Sequence, residues 1–356
     1  MSVAVEISNP DKAPFPDGLT KAELARYYER IAETMLPHVR GRPVHMQRFP
    51  DGIEGQEIQQ KQAPDYFPDF VERARVKRKR GGSIEHVLVE NAETLVYLAD
   101  QACITPHVWL SRIEELDHPD QLIFDLDPPG RDLSPVRDAA RALRQLLEEI
   151  GLAAYLKSTG SRGLHVVSPL DRRAAFDEVR FFARELATLL ADREPKRYTV
   201  EQRKEKRRGR LYLDTARNAY AQTAVAPYAV RALPGAPVAC PLEWRELGRV
   251  RPQQFTVRNI ARRLARKDDP WAEIDGAARS RRGPSPSRAG LRRRKLADAT
   301  WAQRVRVLNE SGYAPTTRGP HACSATPARS CSSATAATCA DCAPRRPATR
   351  SGSGRC

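Results

Sequence analysis

Leu24, Tyr28, Ile31 and Met35 recur at helical spacing behind Thr20-Lys21-Ala22-Glu23, which has the form of a capping box. The pattern predicts a helix that Pro37 ends. Residues 42–70 are rich in Pro, Gly, Asp and Gln and read as turns with short strands. Residues 86–90 read as a strand and 93–101 as a short helix. The apolar run 121–127 reads as a strand leading into a Pro128-Pro129-Gly130 turn. Ser134-Pro135 starts a helix with Pro at its first position. Ala139, Ala142, Leu143, Leu146, Leu147 and Ile150 give it an apolar stripe, and Gly151 stops it. Strands at 153–157 and 164–168 flank a Gly-rich turn. A helix over 174–191, a short strand over 210–214 and a basic helix over 255–266 complete the pattern. This order predicts an α/β (α+β) body built on sheets, not a doubly wound fold.

After about residue 275 the pattern stops. Residues 279–295 are mostly Arg, Ser, Pro and Gly and read as a disordered linker. Residues 296–308 carry enough apolar positions for one short helix. From 314 to 356 only Ala, Arg, Asp, Cys, Gly, His, Pro, Ser and Thr occur, and such a segment cannot bury a core. All nine types have GC-rich codons, as a frameshifted or read-through terminus would. The expected division is a body over 1–275 and a basic tail over 276–356.

Charge sharpens this division. The 356 residues carry a net charge of +16, but 276–356 hold 16 Lys/Arg against 3 Asp/Glu. The body holds 44 against 41, so any binding of nucleic acid must use local patches. Two stretches qualify, 75–80 and 203–210, each also readable as a solvated face. Hydrophobic content of 40% allows a real core. Only Cys103 and Cys240 precede residue 300, so disulfides do not frame the body. Cys339 and Cys342 form a CxxC without a second pair. The start of the chain lacks the features of a signal peptide, and no apolar stretch approaches the ~18 residues of a membrane span. A soluble, cytoplasmic protein is expected.

Asp125 and Asp127 stand one residue apart at a strand end, so both carboxylates leave on one face. Like charges this close repel unless a cation sits between them. They read either as a divalent metal site with hard oxygen ligands or as solvated acids. The turn in Lys157-Ser-Thr-Gly-Ser-Arg-Gly-Leu-His165 exposes backbone N–H groups and hydroxyls that suit phosphate oxygens. It also reads as an ordinary hairpin with a core histidine. Asp214 is a third strand-end acid, followed by Arg217 and, in Ala-Pro-Tyr-Ala-Val-Arg, by Arg231. Acids at strand ends, a phosphate-friendly turn and nearby arginines are the parts of two-metal phosphoryl transfer.

These three motifs, in this order, resemble the polymerase domain of bacterial DNA ligase D, of the archaeo-eukaryotic primase superfamily, over roughly residues 5–275. The resemblance implies a primase-polymerase fold: a small N-terminal α/β module, an RRM-like catalytic sheet, and an active site in the cleft between them. It implies that Asp125, Asp127 and Asp214 are catalytic and bind two Mn²⁺ or Mg²⁺ ions. Ser158, Thr159 and His165 match the motif that binds the nucleotide triphosphate. Arg231 matches an arginine facing the phosphates, and Arg217 a basic active-site position. His107 and Trp109 resemble a His-Pro-Trp segment near the nucleotide pocket, with Val108 in place of Pro. Lys12 and Lys21 match lysines that hold the 5′-phosphate of downstream DNA. The family reads Thr-Ser-Gly where this chain has Ser158-Thr159-Gly160. Ile58 and Gln59 align with a Phe-Phe pair that stacks on template bases, so template grip is expected to be weaker.

The function implied is template-directed addition of nucleotides, preferentially ribonucleotides, to a primer 3′-OH. It would act at gaps and double-strand-break ends in non-homologous end joining. DNA with gaps or broken ends and NTP or dNTP are the implied substrates. The chain holds no Lys-x-Asp-Gly ligase motif, so a separate ATP-dependent DNA ligase and the Ku protein are the implied partners. Location on the bacterial nucleoid is expected. De novo primer synthesis and a non-catalytic end-binding module are the alternative readings. The second would be expected to have lost an acid, and all three are present.

Overall fold

The computed structural model describes residues 4–78 and 81–279. The expected linker, the 296–308 helix, the CxxC and nearly all of the basic tail lie outside the described residues. In chain order, α1 (Lys21–Val39) leads to β1 (Val44–Arg48), β2 (Ile58–Gln60) and the β3 (Arg73–Lys77)–β4 (Ser83–Val87) hairpin. Then come α2 (Ala92–Asp100), β5 (Cys103–Trp109), β6 (Gln121–Asp127), α3 (Ser134–Glu149), β7 (Tyr155–Ser158), β8 (Leu164–Pro169) and α4 (Phe176–Arg193). The chain closes with β9 (Tyr198–Thr199), β10 (Leu211–Asp214), β11 (Thr223–Val225), β12 (Pro241–Leu242), α5 (Ile260–Leu264) and α6 (Ile274–Arg279).

The strands make a four-stranded sheet ordered β11-β5-β1-β2, a six-stranded sheet ordered β12-β7-β8-β6-β10-β9, and the separate hairpin. Both larger sheets are antiparallel apart from the parallel β9–β10 pair. This is the mixed α/β body expected, with no doubly wound sheet.

Period-2 alternation decides what β6 faces. Leu122, Phe124 and Leu126 are fully buried in one core cluster with the α3 stripe of Val136, Ala139, Leu143 and Leu146. Ile123 points the other way, into a second cluster with Leu110, Ala224 and Trp271. Asp125 and Asp127 continue that second face as the strand leaves the core. α3 and most of α4 thus cover one side of the six-stranded sheet and leave the acids on the other.

α1 fastens the N-terminal part to the rest. Thr20 and Glu23 form the expected capping box. Tyr27 donates its hydroxyl to the carbonyl of Tyr228 (2.6 Å), and Tyr28 to that of Ile104 (2.6 Å). The N–H of Val230 donates back to the Tyr28 hydroxyl. At the helix end, buried Arg42 makes a two-pronged pair with Asp120, both contacts 2.7 Å.

Several local expectations need correction. Pro37 does not end α1, which runs to Val39; in the last turn, the proline removes only one bond from a ladder that is ending anyway. The strand expected at 86–90 is β4, three residues earlier, where it pairs with β3. The basic helix expected over 255–266 shrinks to α5, because Thr256 bridges to Pro237 and Val238 donates to the carbonyl of Phe255. The first basic stretch is partly the strand β3, and the second forms a 3₁₀ turn at Lys204–Lys206.

Candidate active site

Register across the six-stranded sheet lines up residues that are far apart in sequence. Lys157 on β7 pairs with His165 on β8, His165 with Asp125 on β6, and Asp125 with Asp214 on β10. Directly opposed residues share a face and stand about 5 Å apart at Cβ. One row therefore reads Lys157, His165, Asp125, Asp214. Asp127 follows Asp125 on the same face.

The contacts within this row are direct. His165 Nε2 lies 3.4 Å from one Asp125 oxygen and Arg217 Nε 3.6 Å from the other. Arg162 reaches Asp127 at 3.4 Å. Burial would raise the Asp125 carboxyl, but His165 and Arg217 outweigh it and hold it down to about 2. Asp127 is pushed up, by burial and then by the charge of Asp125, with Arg162 only partly offsetting them. Asp214 accepts from the N–H of Ala216 at 2.7 Å. Among the described residues, no three acid, histidine or cysteine side chains converge closely enough to surround one ion. The repelling Asp125–Asp127 pair is nonetheless the donor set a hard divalent cation would relieve, and Asp214 is its neighbour in register.

The turn after β7 is tighter than its hydroxyls suggest. Thr159 Oγ1 donates to the carbonyl of Gly163 and accepts from the N–H groups of Ser161 and Gly163. Ser158 Oγ exchanges hydrogen bonds with the backbone of Cys240. Both expected phosphate-binding hydroxyls are thus engaged inside the protein. Gly160 takes φ +66°, and a Cβ there would meet Arg231 Cγ at 2.7 Å, so the turn packs directly on Arg231. The segment carrying Arg231 is pinned by Tyr228, a fully buried residue at φ +65° whose hydroxyl donates to Asp269 (2.7 Å). Asp269 also holds the ring of His38 at 2.6 Å.

The four-stranded sheet contributes the opposite wall. His107 on β5 pairs with His45 on β1 and with Val225 on β11. Burial, Arg231, His45 and Arg217 together hold His107 well below its ordinary range. His45 is pushed down to about 4 by burial, then by Lys61 and His86. Burial lowers Arg231, which Asp125 and Asp127 oppose. His45 Nε2, Gln47 Oε1, His165 Nδ1 and Arg231 Nε are all buried polar atoms with no partner. Such atoms are costly unless a ligand completes them. The setting is a cluster of suppressed cations beside two repelling acids, and a polyanion carrying divalent cations would satisfy both.

The structure therefore gathers Asp125, Asp127, Asp214, His165, Arg217, Arg231 and His107. Trp109 is not at the opening; it is buried, edge-on to His86 and Tyr220. Lys12 and Lys21 share a different pocket of about 230 Å³, with Ser8, Asn9 and Arg48. There Lys21 is already committed to Ser8 and to Asp100 (2.8 Å), and Lys12 to the carbonyl of Pro50. Ile58 and Gln59 lie exposed on the edge strand β2, where Gln59 bonds Glu57. Sequence reasoning assigned no role to Lys157, Arg162, His45 or Gln47. Lys157 and Arg162 had a local signal, being inside the quoted turn motif.

The two-sheet architecture defines a mixed α/β fold, and the comparisons agree. The family model described as "LigD, primase-polymerase domain" matches residues 20–271, and the chain belongs to that family. It is 34% identical over 281 residues to the multifunctional non-homologous end joining protein LigD of Pseudomonas aeruginosa, covering 77% of this chain and 33% of that protein. It is 32% identical over 259 residues to the bifunctional non-homologous end joining protein LigD of Bacillus subtilis, covering 72% of this chain and 41% of that protein. The chain thus spans about a third to two fifths of these relatives. The solved polymerase domain of Mycobacterium tuberculosis ligase D in complex with DNA superposes with a TM-score of 0.72 at 30% identity. That match covers 77% of this chain and 98% of that one. No helix among the described residues is long and apolar enough to cross a membrane.

Proposed function

We propose that this chain is a template-directed nucleotidyltransferase that extends primer 3′-OH ends at gaps and breaks in DNA during end joining. The observation that carries this reading is the row Lys157, His165, Asp125, Asp214, with Arg231 packed on the adjoining turn. Family membership and the DNA-bound structural relative support it.

Asp125, Asp127 and Asp214 would hold two divalent ions, Mn²⁺ or Mg²⁺, which when bound supply Lewis-acid activation of the 3′-OH and charge neutralisation at the leaving pyrophosphate. The residues of the chain do the rest. A hydrogen bond from His165 and the charge of Arg217 keep Asp125 ionised, so it is ready to ligate at neutral pH. Arg231 offers its unpartnered Nε to a phosphate oxygen. The N–H groups of Gly160 and Arg162 and the Arg162 side chain would face the same anion, and His107 and His45 would line the nucleotide from the other sheet. Lys12 and Lys21 would take the 5′-phosphate across the gap, which requires Lys21 to share its ammonium with Asp100. Ribonucleotide preference, a separate ligase and Ku belong to the same reading.

A gap-filling assay tests it. The substrate is a gapped duplex with a 5′-phosphate, with Mn²⁺ and either NTPs or dNTPs. The wild type should extend the primer. Asp125→Ala should lose at least about 10³-fold, as expected where one group anchors charge stabilisation in the transition state. Folded wild type that binds the duplex without extending it would instead favour an end-binding module. Extension without any primer would favour de novo priming.

A further inference from the structure

Lys157 is the least expected member of the catalytic row. It is 2% exposed. Its ammonium donates to the carbonyl of Val225 at 2.5 Å and stands 5.7 Å from the centre of the Trp271 ring. No carboxylate lies within ion-pair distance of it among the described residues. A protonated lysine has three donors, and this one uses a single neutral carbonyl. Its location explains what the other two await. Val225 pairs with His107 on one wall of the cleft, and Lys157 pairs with His165 on the other. Lys157 therefore bridges the two sheets behind the place where the triphosphate would lie.

The charged groups facing it are Arg231, Asp125 and, through the row, His165; Arg217 and His107 lie beyond them. Burial and then the charge of Arg231 push Lys157 down to about 7, and Asp125 opposes them. The empty cleft thus keeps a lysine that is easily neutral. A polyanion on Arg231 cancels the repulsion and adds a favourable potential.

Resting on the nucleotide-binding reading of the cleft, we propose that Lys157 is a proton-uptake group: docking of a nucleoside triphosphate beside Arg231 draws one proton from solvent onto its amine. The positive charge needed against the triphosphate is then created only when the triphosphate is present. Without the triphosphate, the cleft is spared a second buried cation beside Arg231.

Calorimetry of ATP binding to the full chain, without DNA so that no transfer occurs, reads this directly. At pH 8 the free nucleotide is fully deprotonated and the site histidines, all held low, are neutral. Titrations in two buffers of different ionisation enthalpy give the protons taken up per ATP. The wild type should take up between about half and one proton, and its affinity should fall towards tenfold per pH unit above neutrality. Lys157→Met should take up none and show a flat affinity profile over the same range. Lys157→Arg, charged throughout, should also be flat and keep the tighter binding, which separates loss of charge from loss of packing. Wild-type uptake or slope retained in Lys157→Met, or a wild-type slope in Lys157→Arg, overturns the proposal. Failure of the wild type to bind ATP at all would sink the polymerase reading itself, whereas binding with no proton uptake sinks only this inference.

Discussion

Gly163 sits where no side chain fits. A Cβ there would collide with the carbonyl of Leu126 and with Asp127 Oδ1, so the start of β8 approaches the end of β6 as closely as backbone allows. That contact fixes the second acid. Gly163→Ala must displace the backbone of the buried residue Leu126 as well as Asp127. We expect primer extension to fall about 10²-fold, the cost of an ångström-scale misplacement, together with a clear drop in melting temperature. An active, unshifted variant would show that Asp127 tolerates displacement. At this scale the sequence was most informative where chemistry is local. The one-residue spacing of Asp125 and Asp127 and the small residues of the 159–163 turn were legible. The engagement of the Ser158 and Thr159 hydroxyls was not, since it depends on Cys240 and on the closure of the turn.

Among the elements, α5 illustrates how charge holds a short helix that cannot hold itself. Five residues nucleate poorly alone. Arg263 clamps Glu246 with both terminal nitrogens, and Lys267 adds contacts to Glu246 and Glu243. Burial would raise Glu246, but Arg263 and the N–H of Glu243 hold it down to about 2. A depressed carboxyl contributes stability above its unfolded pKa, near 4.5, and loses that contribution as pH falls through about 2. Glu246→Gln should therefore melt below wild type at pH 7. The gap should narrow between about pH 4.5 and 2, as melting curves at stepped pH would record. A constant gap would mean that the loss is packing rather than charge. The elements legible in sequence were α1, α2, β6, α3, the β7–β8 pair, α4 and β10. β5 escaped because Pro106 sits within it, yet the strand lies between β11 and β1 and Pro106 still accepts from Ala226. β1 and β2 fall among the short strands expected over 42–70, where the short, exposed Ile-Gln-Gln of β2 gave no pattern to place it individually.

For the whole molecule, the decisive contacts are those no window of sequence contains. Lys157, His45 and Gln47 become site residues only through strand register and the facing of two sheets. The N-terminal part has no separate core: one buried cluster runs from Phe15 through α1 and the six-stranded sheet to Ile260. Tyr27→Phe/Tyr28→Phe removes two hydroxyls and leaves buried carbonyls unpaired, at roughly 1–3 kcal/mol each. Unfolding should stay a single transition at lower urea. Circular dichroism and tryptophan fluorescence should coincide, Trp109 and Trp271 reporting from the two sides. Separate midpoints would mean that α1 and its sheet detach first.

The hydroxyl of Tyr27 and its carbonyl partner are 201 residues apart. A ribosome adding about 5–20 residues per second makes α1 roughly 10–40 s before that partner exists. During that wait α2 and Ile104 emerge to meet the face bearing Tyr28, but Tyr27 still lacks the segment it bonds in the folded chain. Nascent chains halted before residue 228 should be bound by chaperones that hold exposed apolar helices, and those released after residue 271 should not.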